Sequence, residues 1–277
     1  MDYNIDFIYI TNIPYIGKFI TNHNVRWVMV DLEYRGKAKR QEDRDTVISA
    51  HKISDVKNMR AQLNSDSLLV RINPINRLSI REIDAVIDAG ADAIMLPYFQ
   101  TKQEIEYFVE LIASRCKVFL LLETMKGIQN IADILSVKGI DYVHIGLNDL
   151  HIERNTKFMF EFIADGSIDP IASILTDRGM KFGIGGVGRY GKLLPPAESV
   201  LSEHIRLGSH GAILSRSFMN ATIPTSSDEF CSQFQSELEK LRSHINEAAC
   251  KDPFYFAQNQ KQFNLNVSEV VDKLSGI

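Results

Sequence analysis

The segment 117–149 constrains the fold more than any other part of this chain, because two strand-length apolar runs flank one helix-length segment. The runs are Val118–Leu122 and Tyr142–Ile145, and the segment between them, Lys126–Val137, is amphipathic. A strand, a crossover helix and a second strand in one sheet place the two strands parallel to each other. The pattern therefore predicts a β-α-β unit whose two strands end at the same edge of the sheet.

A carboxylate follows each of these strands: Glu123 comes directly after the first, and Asp149 lies just beyond the second. Two carboxylates at neighbouring strand ends repel each other unless a proton or a cation lies between them. A hard divalent cation such as Mg²⁺ is the usual partner of such a pair. The alternative is one structural acid and one loop turn formed by Asn148 and Asp149, and the pair alone leaves both interpretations open.

The same alternation of strands and helices continues along the whole chain and predicts the fold class. Eight strands are expected: Phe7–Thr11, Trp27–Asp31, Leu68–Ile72, Ala93–Leu96, Val118–Leu122, Tyr142–Ile145, Lys181–Ile184 and Gly211–Leu214. Eight β-α units in 277 residues are typical of an α/β protein with a (β/α)₈ TIM barrel. A doubly wound sheet would usually carry fewer strands and a Gly-rich loop after the first one, where this chain has Thr11-Asn12-Ile13-Pro14.

Helices are predicted between the strands and after the last one. Ser79 and Glu82, like Thr101 and Glu104, have the spacing of a capping box at a helix start. Asp228–Ala248 is expected to form a long C-terminal helix, and a short helix is expected after Ser268. We predict a single domain over 1–277, with the barrel at about 5–220 and the C-terminal helix and tail at 226–277.

Charge and cysteine usage exclude several classes of protein. A net charge of −4 argues against a nucleic-acid binder, which normally carries a basic surface. The three cysteines, Cys116, Cys231 and Cys250, are widely spaced and form no C-x-x-C pattern, which indicates a reducing compartment. The chain has no basic N-terminal region and no apolar run of about 18 residues, so we expect no signal peptide, no membrane partner and a cytoplasmic location.

In a TIM barrel the chemistry lies where strands end and the following loops begin. Asp31, Glu33 and Tyr34 follow the second predicted strand, and Arg71 lies near the end of the third. A buried arginine needs an anionic partner, and a substrate carboxylate matches the guanidinium geometrically. A structural salt bridge from Arg71 to Asp31 or Glu33 is the alternative, and the spacing does not decide between them.

Six motifs in this order resemble one known family. They are V-D-L-E (30–33), V-R-I-N-P (70–74), I-M-L-P (94–97), L-L-E-T (121–124), I-G-L-N-D-L (145–150) and G-I-G-G (183–186). The chain resembles the HpcH/HpaI aldolase and citrate lyase β-subunit family of the phosphoenolpyruvate/pyruvate barrel superfamily over roughly residues 5–220. The resemblance implies Mg²⁺ or Mn²⁺ bound by Glu123 and Asp149, and Arg71 on the oxygens of a pyruvate-like substrate. We also predict Gly146, Leu147, Asn148 and Gly186 as substrate-binding residues.

The implied reaction makes or breaks a carbon–carbon bond beside a 2-oxo acid, and its chemistry fits these residue types. Retro-aldol cleavage leaves an enolate, and a cation bound to the 2-oxo acid stabilises the developing charge. The seven histidines show no H-x-H or H-E-x-x-H grouping, which argues against zinc. We therefore predict a metal-dependent lyase or aldolase for a small anionic substrate, with Asp31, Glu33, Tyr34 and Arg71 as catalytic residues.

One residue departs from the family pattern. Pyruvate aldolases of the family usually follow the strand-two D-x-E with a histidine that handles the proton, and this chain has Tyr34 there. Tyrosine, with a reference pKa near ~10, is a poor base without a cation beside it. His51 and His151 are alternatives, although each has the character of an ordinary surface histidine. The acid/base residue stays unassigned from the sequence.

Two further regions have alternatives that the sequence leaves open. The glycines 185, 186 and 188 with Arg189, and Ser215-Arg216-Ser217, suit a phosphate or a second carboxylate, or else form tight turns with two solvated arginines. The charged loop Arg35–Arg44 carries Lys37, Lys39 and Arg40, which either steer an anionic substrate or form a solvated surface.

Two other functions compete with the 2-oxo acid lyase. One is a citrate-synthase-like or citrate-lyase-like enzyme that uses an acyl thioester, and the other is a non-catalytic barrel that binds an anionic ligand. The resemblance also implies a homo-oligomer, because the long C-terminal helix exchanges between subunits in relatives. The aromatic segment Pro253–Phe256 suggests burial against a neighbour.

Overall fold

The computed structural model describes residues 3–35, 50–63, 66–219, 222–225 and 227–276. Within these residues nine strands form one sheet: β1 Asp6–Ile10, β2 Trp27–Asp31, β3 Leu68–Arg71, β4 Ala93–Leu96, β5 Lys117–Leu122, β6 Tyr142–Ile145, β7 Phe182–Ile184, β8 Gly186–Val187 and β9 Gly211–Leu214. Their order is β7-β6-β5-β4-β3-β2-β1-β9-β8, and the registered pairs run parallel. The fold is thus the α/β TIM-barrel class predicted from the sequence.

The chain divides into two compact units, Ile8–His144 and Met1–Phe7 with Ile145–Ile277. The first unit contains six helices within its described residues: α1 Pro14–Asn22, α2 Ile53–Arg60, α3 Ser79–Asp88, α4 Lys102–Ile112, α5 Met125–Gln129 and α6 Ile131–Ile134. Apolar residues at helical spacing turn inward, as with Ile105, Phe108 and Ile112 of α4, which are all fully buried. The prediction of one domain stays a prediction.

The prediction of one crossover helix over Lys126–Val137 is wrong in one respect. The structure has two short helices there, α5 and α6. Asn130 lies between them with φ of −96° and ψ of 6°, outside the helical region. Its side-chain amide donates to the carbonyl of Gln100 at 2.8 Å. Asparagine offers such local alternatives to helix hydrogen bonding, and the apolar periodicity of the segment does not reveal them.

In the second unit, Gly185 comes directly after Ile184, the predicted end of the seventh strand. Gly185 has φ of +45°, which favours glycine, and it separates β7 from β8. Gly186 and Val187, expected to be loop residues, instead pair with Ile213 and Leu214 of β9. The backbone N–H of Gly185 donates to Ile145, and its carbonyl accepts from Ile213. The seventh predicted strand is therefore continued beyond its expected end by a two-residue strand, β8.

Six α-helices and one 3₁₀ helix belong to the described part of the second unit: α7 Leu147–Glu153, α8 Glu161–Ala164, α9 Asp169–Asp177, α10 Ala197–Leu207, the 3₁₀ helix Arg216–Phe218, α11 Asp228–Ala248 and α12 Pro253–Ser275. The bounds of α11 are those predicted, and the Ser227 hydroxyl caps it by accepting from the N–H of Phe230. Both α11 and α12 pack against α10 of the same chain. The oligomer stays a prediction.

The last helix differs from its prediction, because α12 begins at Pro253 rather than after Ser268. Pro253 suits the first helical position, and the Asp252 carboxylate accepts from the N–H of Tyr255 at 2.9 Å. Phe263 and Val267 are buried, while Phe254 of the aromatic segment is exposed. No helix in the described ranges has the combined length and apolar character of a membrane-spanning segment.

Candidate active site

An arginine and an aspartate stand side by side where β2 and β3 end. The parallel register pairs Asp31 with Arg71 directly. Arg71 Nε donates to Asp31 Oδ1 at 2.8 Å, and Nη2 donates to Asp31 Oδ2 at 2.7 Å. Glu33 Oε2 lies 3.6 Å from the same Nε. The salt bridge that the sequence offered as an alternative is therefore present, and it fixes the guanidinium in one orientation.

The ion pair leaves part of the Arg71 guanidinium available. Asp31 occupies the edge formed by Nε and Nη2, so Nη1 and the second N–H of Nη2 have no acceptor among the described residues. The Arg71 side chain is 13% exposed, whereas those of Asp31 and Glu33 are 2% exposed. A planar anion such as a carboxylate matches the remaining edge. The structural salt bridge and a substrate contact are thus compatible.

Buried negative charge surrounds this arginine. Burial by itself would lower the pKa of Arg71, but the carboxylates of Asp31, Glu33 and Glu123 offset it, and the pKa is raised above its usual value. Glu123 follows β5 and is buried, and one of its oxygens accepts from the N–H of Tyr98 at 3.1 Å. The site thus brings three buried carboxyl groups, those of Asp31, Glu33 and Glu123, close to one guanidinium.

Asp149 lies in the second unit, in the first turn of α7. Its carboxylate is buried and accepts from the side-chain amide of Asn148 at 3.2 Å. The alternative of a loop turn at Asn148-Asp149 is wrong, because both residues are helical. Gly146 is the N-cap of this helix, and the Leu147 side chain packs so closely on Gly185 that a Cβ there would lie 2.7 Å from it.

The described residues contain no group of three or more His, Cys, Asp or Glu side chains arranged to hold a metal. This finding is consistent with a cation held by two protein carboxylates, because Mg²⁺ usually keeps several waters and takes only one or two such ligands. The assignment of Glu123 and Asp149 to one metal stays a prediction, since the two residues belong to different compact units.

The backbone of Tyr34 is fixed by a hydrogen bond, whereas its ring is exposed. The N–H groups of Tyr34 and Arg35 donate to Asn73 Oδ1 at 3.1 and 2.9 Å, while the Tyr34 side chain is 56% exposed. The Arg35 guanidinium lies 5.4 Å from the centre of the Tyr34 ring. The other loop cations that the sequence singled out, Lys37, Lys39 and Arg40, lie outside the described residues.

Asn73, which follows β3 at the same edge as Arg71, and Glu82 of α3 make contacts at this site that the sequence does not predict. The Asn73 amide donates to Leu32 O at 3.3 Å and to Glu82 Oε1 at 2.6 Å, and Glu82 Oε1 also accepts from the Asn73 N–H. The predicted capping box at Ser79 is wrong: Leu78 is the N-cap of α3 and Glu82 turns to Asn73 instead. The V-R-I-N-P motif and the position of Asn73 at a strand end already mark it as a candidate site residue.

His51 also lies at this site, although the sequence gives it the character of a surface histidine. Its Nδ1 accepts from the backbone N–H of Asp31 at 3.0 Å, so the neutral ring carries its proton on Nε2. A hydrogen bond of 3.2 Å from Asn12 to Asp55 ties the segment after His51 to the loop that follows β1.

His151 is a buried residue of α7, which contradicts its expected surface position. The apolar periodicity of the sequence predicts neither the contact of His51 nor the burial of His151.

The sequence matches one protein-family model over residues 11–159, described as HpcH/HpaI aldolase/citrate lyase. The match covers more than half of the 277 residues and contains Asp31, Arg71, Glu123 and Asp149. The chain belongs to the HpcH/HpaI aldolase/citrate lyase family. Members of the HpcH/HpaI family are lyases and aldolases that act on carbon–carbon bonds. No curated protein matches the sequence.

Solved structures with low sequence identity share the fold of this HpcH/HpaI family member. An HpcH/HpaI aldolase from Desulfitobacterium hafniense DCB-2 is 14% identical with a TM-score of 0.58, and the match covers 76% of this chain and 86% of that one. A citrate lyase β subunit from M. tuberculosis, complexed with oxaloacetate and magnesium, is 14% identical with a TM-score of 0.59, covering 90% and 98%. The citrate synthase SbnG is 16% identical with a TM-score of 0.58, covering 77% and 86%.

Proposed function

We propose that this protein is a divalent-metal-dependent carbon–carbon lyase of the aldolase type, acting on a 2-oxo acid through a pyruvate-like enolate. The observation that carries the proposal is the Arg71 guanidinium, which Asp31 holds by one edge while the other edge has no described acceptor. A cation fixed in this way among buried carboxylates suits a small anionic ligand. The membership in an aldolase and lyase family supports the same reaction class.

In this proposal Arg71 binds the carboxylate of the 2-oxo acid through Nη1 and the outer N–H of Nη2. Asp31 and Glu33 keep the guanidinium charged and oriented, which reduces the reorganisation needed when negative charge develops on the substrate. The start of α7, with Gly146, Leu147 and Asn148, and Gly186 of β8 are the proposed further contacts to the substrate. Asn73 is a positioning residue, because it fixes the backbone between Leu32 and Arg35.

Glu123 and Asp149 are the proposed ligands of Mg²⁺ or Mn²⁺. Both are buried carboxylates, and carboxylate oxygen is the ligand type that these hard cations prefer. When bound, such a cation supplies the charge that stabilises an enolate as the carbon–carbon bond breaks.

The cleavage step needs one proton removed from the hydroxyl group of the substrate and one delivered to the enolate carbon. The electrons of the broken bond pass to the 2-oxo acid fragment, and the other fragment leaves as an aldehyde. Tyr34 is our candidate for proton transfer, because it follows Glu33 at the position of the usual family histidine.

The reaction class is tested by the release of pyruvate from 4-hydroxy-2-oxo acids. The purified protein is incubated with such acids of several chain lengths, and pyruvate is measured through its reduction to lactate by a coupling enzyme. We expect release that stops with EDTA and returns with excess Mg²⁺ or Mn²⁺. Release that continues at full rate in EDTA would contradict the metal-dependent lyase.

A further inference from the structure

The loops that follow β8 and β9 adjoin each other within the second unit. Val187 of β8 pairs with Leu214 of β9, and the N–H of Ser215 donates to the carbonyl of Val187 at 2.9 Å. A Cβ at Gly188 would lie 2.9 Å from Ser217 Oγ, so the two loops touch at this point. The hydroxyls of Ser215 and Ser217 lie 2.7 Å apart. Because β8 and β9 are parallel, both loops leave the same edge of the sheet.

Arg189, in the first of these loops, has no ion-pair partner among the residues that the structure describes. Its Nε is buried and has no hydrogen-bond acceptor, and no carboxylate in the described ranges pairs with its guanidinium. Arg60, Arg154 and Arg206 each pair with an aspartate. A buried donor without a partner costs roughly 1–3 kcal/mol, and more when the group is charged. Such a residue is better explained by an anionic ligand than by packing.

The loop after β9 supplies two hydroxyl groups, those of Ser215 and Ser217. One of Ser215 and Ser217 donates its proton to the other in the 2.7 Å contact, which leaves the accepting hydroxyl with a proton of its own to donate. Gly188 allows the close approach of the two loops, because a Cβ there would lie only 2.9 Å from Ser217 Oγ. Arg216 adds an exposed second positive charge in the loop after β9. The arrangement is one of donors and cations, which suits an anion.

We propose that Arg189, with the hydroxyls of Ser215 and Ser217, binds the distal anionic group of the substrate, a carboxylate or a phosphate. The proposal rests on the proposed function for the rest of the substrate, and it makes the substrate a 2-oxo acid with a second negative charge. The position agrees with this role, because Gly185, which directly precedes β8, packs on Leu147, two residues before Asp149. The loops after the last two barrel strands are also a frequent place for phosphate in TIM barrels.

Binding of inorganic phosphate and of succinate tests the site without requiring any reaction. Isothermal titration would be done with the full-length protein, with Arg189→Gln and Arg189→Lys, and with Arg178→Gln as the matched control. Arg178 is an exposed arginine at the C-cap of α9, at the other edge of the sheet. Arg189→Gln should lose affinity about tenfold or more, Arg189→Lys should lose less, and the control should match wild type.

The two probes separate the two forms of the anion. The tighter probe in wild type identifies the group, phosphate or carboxylate, and either supports the proposal if Arg189→Gln weakens it. Equal binding by wild type and Arg189→Gln, or no binding of either probe to wild type, would overturn it. Thermal unfolding of Arg189→Gln serves as the folding check, and we expect an unchanged or higher Tm because an unpaired, partly buried charge is removed. A failure of the proposed lyase would appear separately, as absent pyruvate release with intact binding of the tighter probe.

Discussion

Replacing Arg71 with lysine is expected to lower kcat/KM for pyruvate release by about 100- to 1,000-fold while leaving the protein folded. Lysine keeps the positive charge beside Asp31 and Glu33, so the buried carboxylates retain a counter-charge. It cannot hold Asp31 by one edge and a substrate carboxylate by another, because an ammonium group has no rigid planar geometry. Losing one oriented donor to developing negative charge costs about 2.7–4 kcal/mol of transition-state stabilisation in well-studied enzymes.

Two other variants show whether the loss of activity in Arg71→Lys is specific to the geometry of Arg71. Arg71→Met should also destabilise the fold, by roughly 3–5 kcal/mol, because it removes the guanidinium that pairs with the buried carboxylates of Asp31 and Glu33. Arg115→Lys is the matched control, since Arg115 pairs with Asp84 on the surface at 2.8 Å and should lose neither activity nor stability. Steady-state kinetics and urea unfolding measure both quantities. Near wild-type activity in a folded Arg71→Lys protein would remove Arg71 from the substrate site.

Replacing either proposed metal ligand is expected to lower Mn²⁺ affinity by more than about tenfold. Glu123→Gln and Asp149→Asn keep the size of each side chain and remove one negative charge. Mg²⁺ and Mn²⁺ bind through one or two carboxylates in sites of this kind, so the loss of one is a large part of the protein's contribution. Binding is measured from the spin-resonance signal of free Mn²⁺ in a titration of each protein.

The two variants also test whether both compact units contribute to one metal. Glu123 belongs to the first unit and Asp149 to the second, so a shared cation requires both variants to lose affinity. Excess Mg²⁺ should raise the Tm of wild type by mass action and should have a smaller effect on each variant. Glu110→Gln, at an exposed position of α4, is the control with the same loss of charge. Loss of affinity in only one of the two variants would contradict a site made by the pair.

Much of the fold could be predicted because its signals are local. The strands Trp27–Asp31, Ala93–Leu96 and Tyr142–Ile145 have the predicted bounds, since each is a short apolar run in a chain of regular β-α alternation. The helix α11 is also as predicted, with a serine cap before it. Asp31, Glu33 and Arg71 could be identified as neighbours because parallel strands bring their C-terminal ends to one edge.

The features that could not be predicted depend on tertiary contacts. The first part of α12 is rich in Asn and Gln and has a weak apolar pattern, so its packing against α10 decides its structure. Glu82 has the spacing of a capping residue, yet it bonds to Asn73 across a loop. His51 reaches the backbone of Asp31 from twenty positions along the chain, and no spacing rule anticipates such a contact.

The central claim, a metal-dependent site that forms an enolate, is tested most directly by deuterium exchange at the methyl group of pyruvate. Proton NMR would follow the methyl signal in D₂O for wild type with Mg²⁺, wild type with EDTA, and Asp149→Asn with Mg²⁺. We predict that the signal decays only in the first sample, because enolisation requires both the cation and its ligand. Decay at the same rate in all three samples, or no decay in a wild-type protein that binds Mn²⁺, would contradict the account.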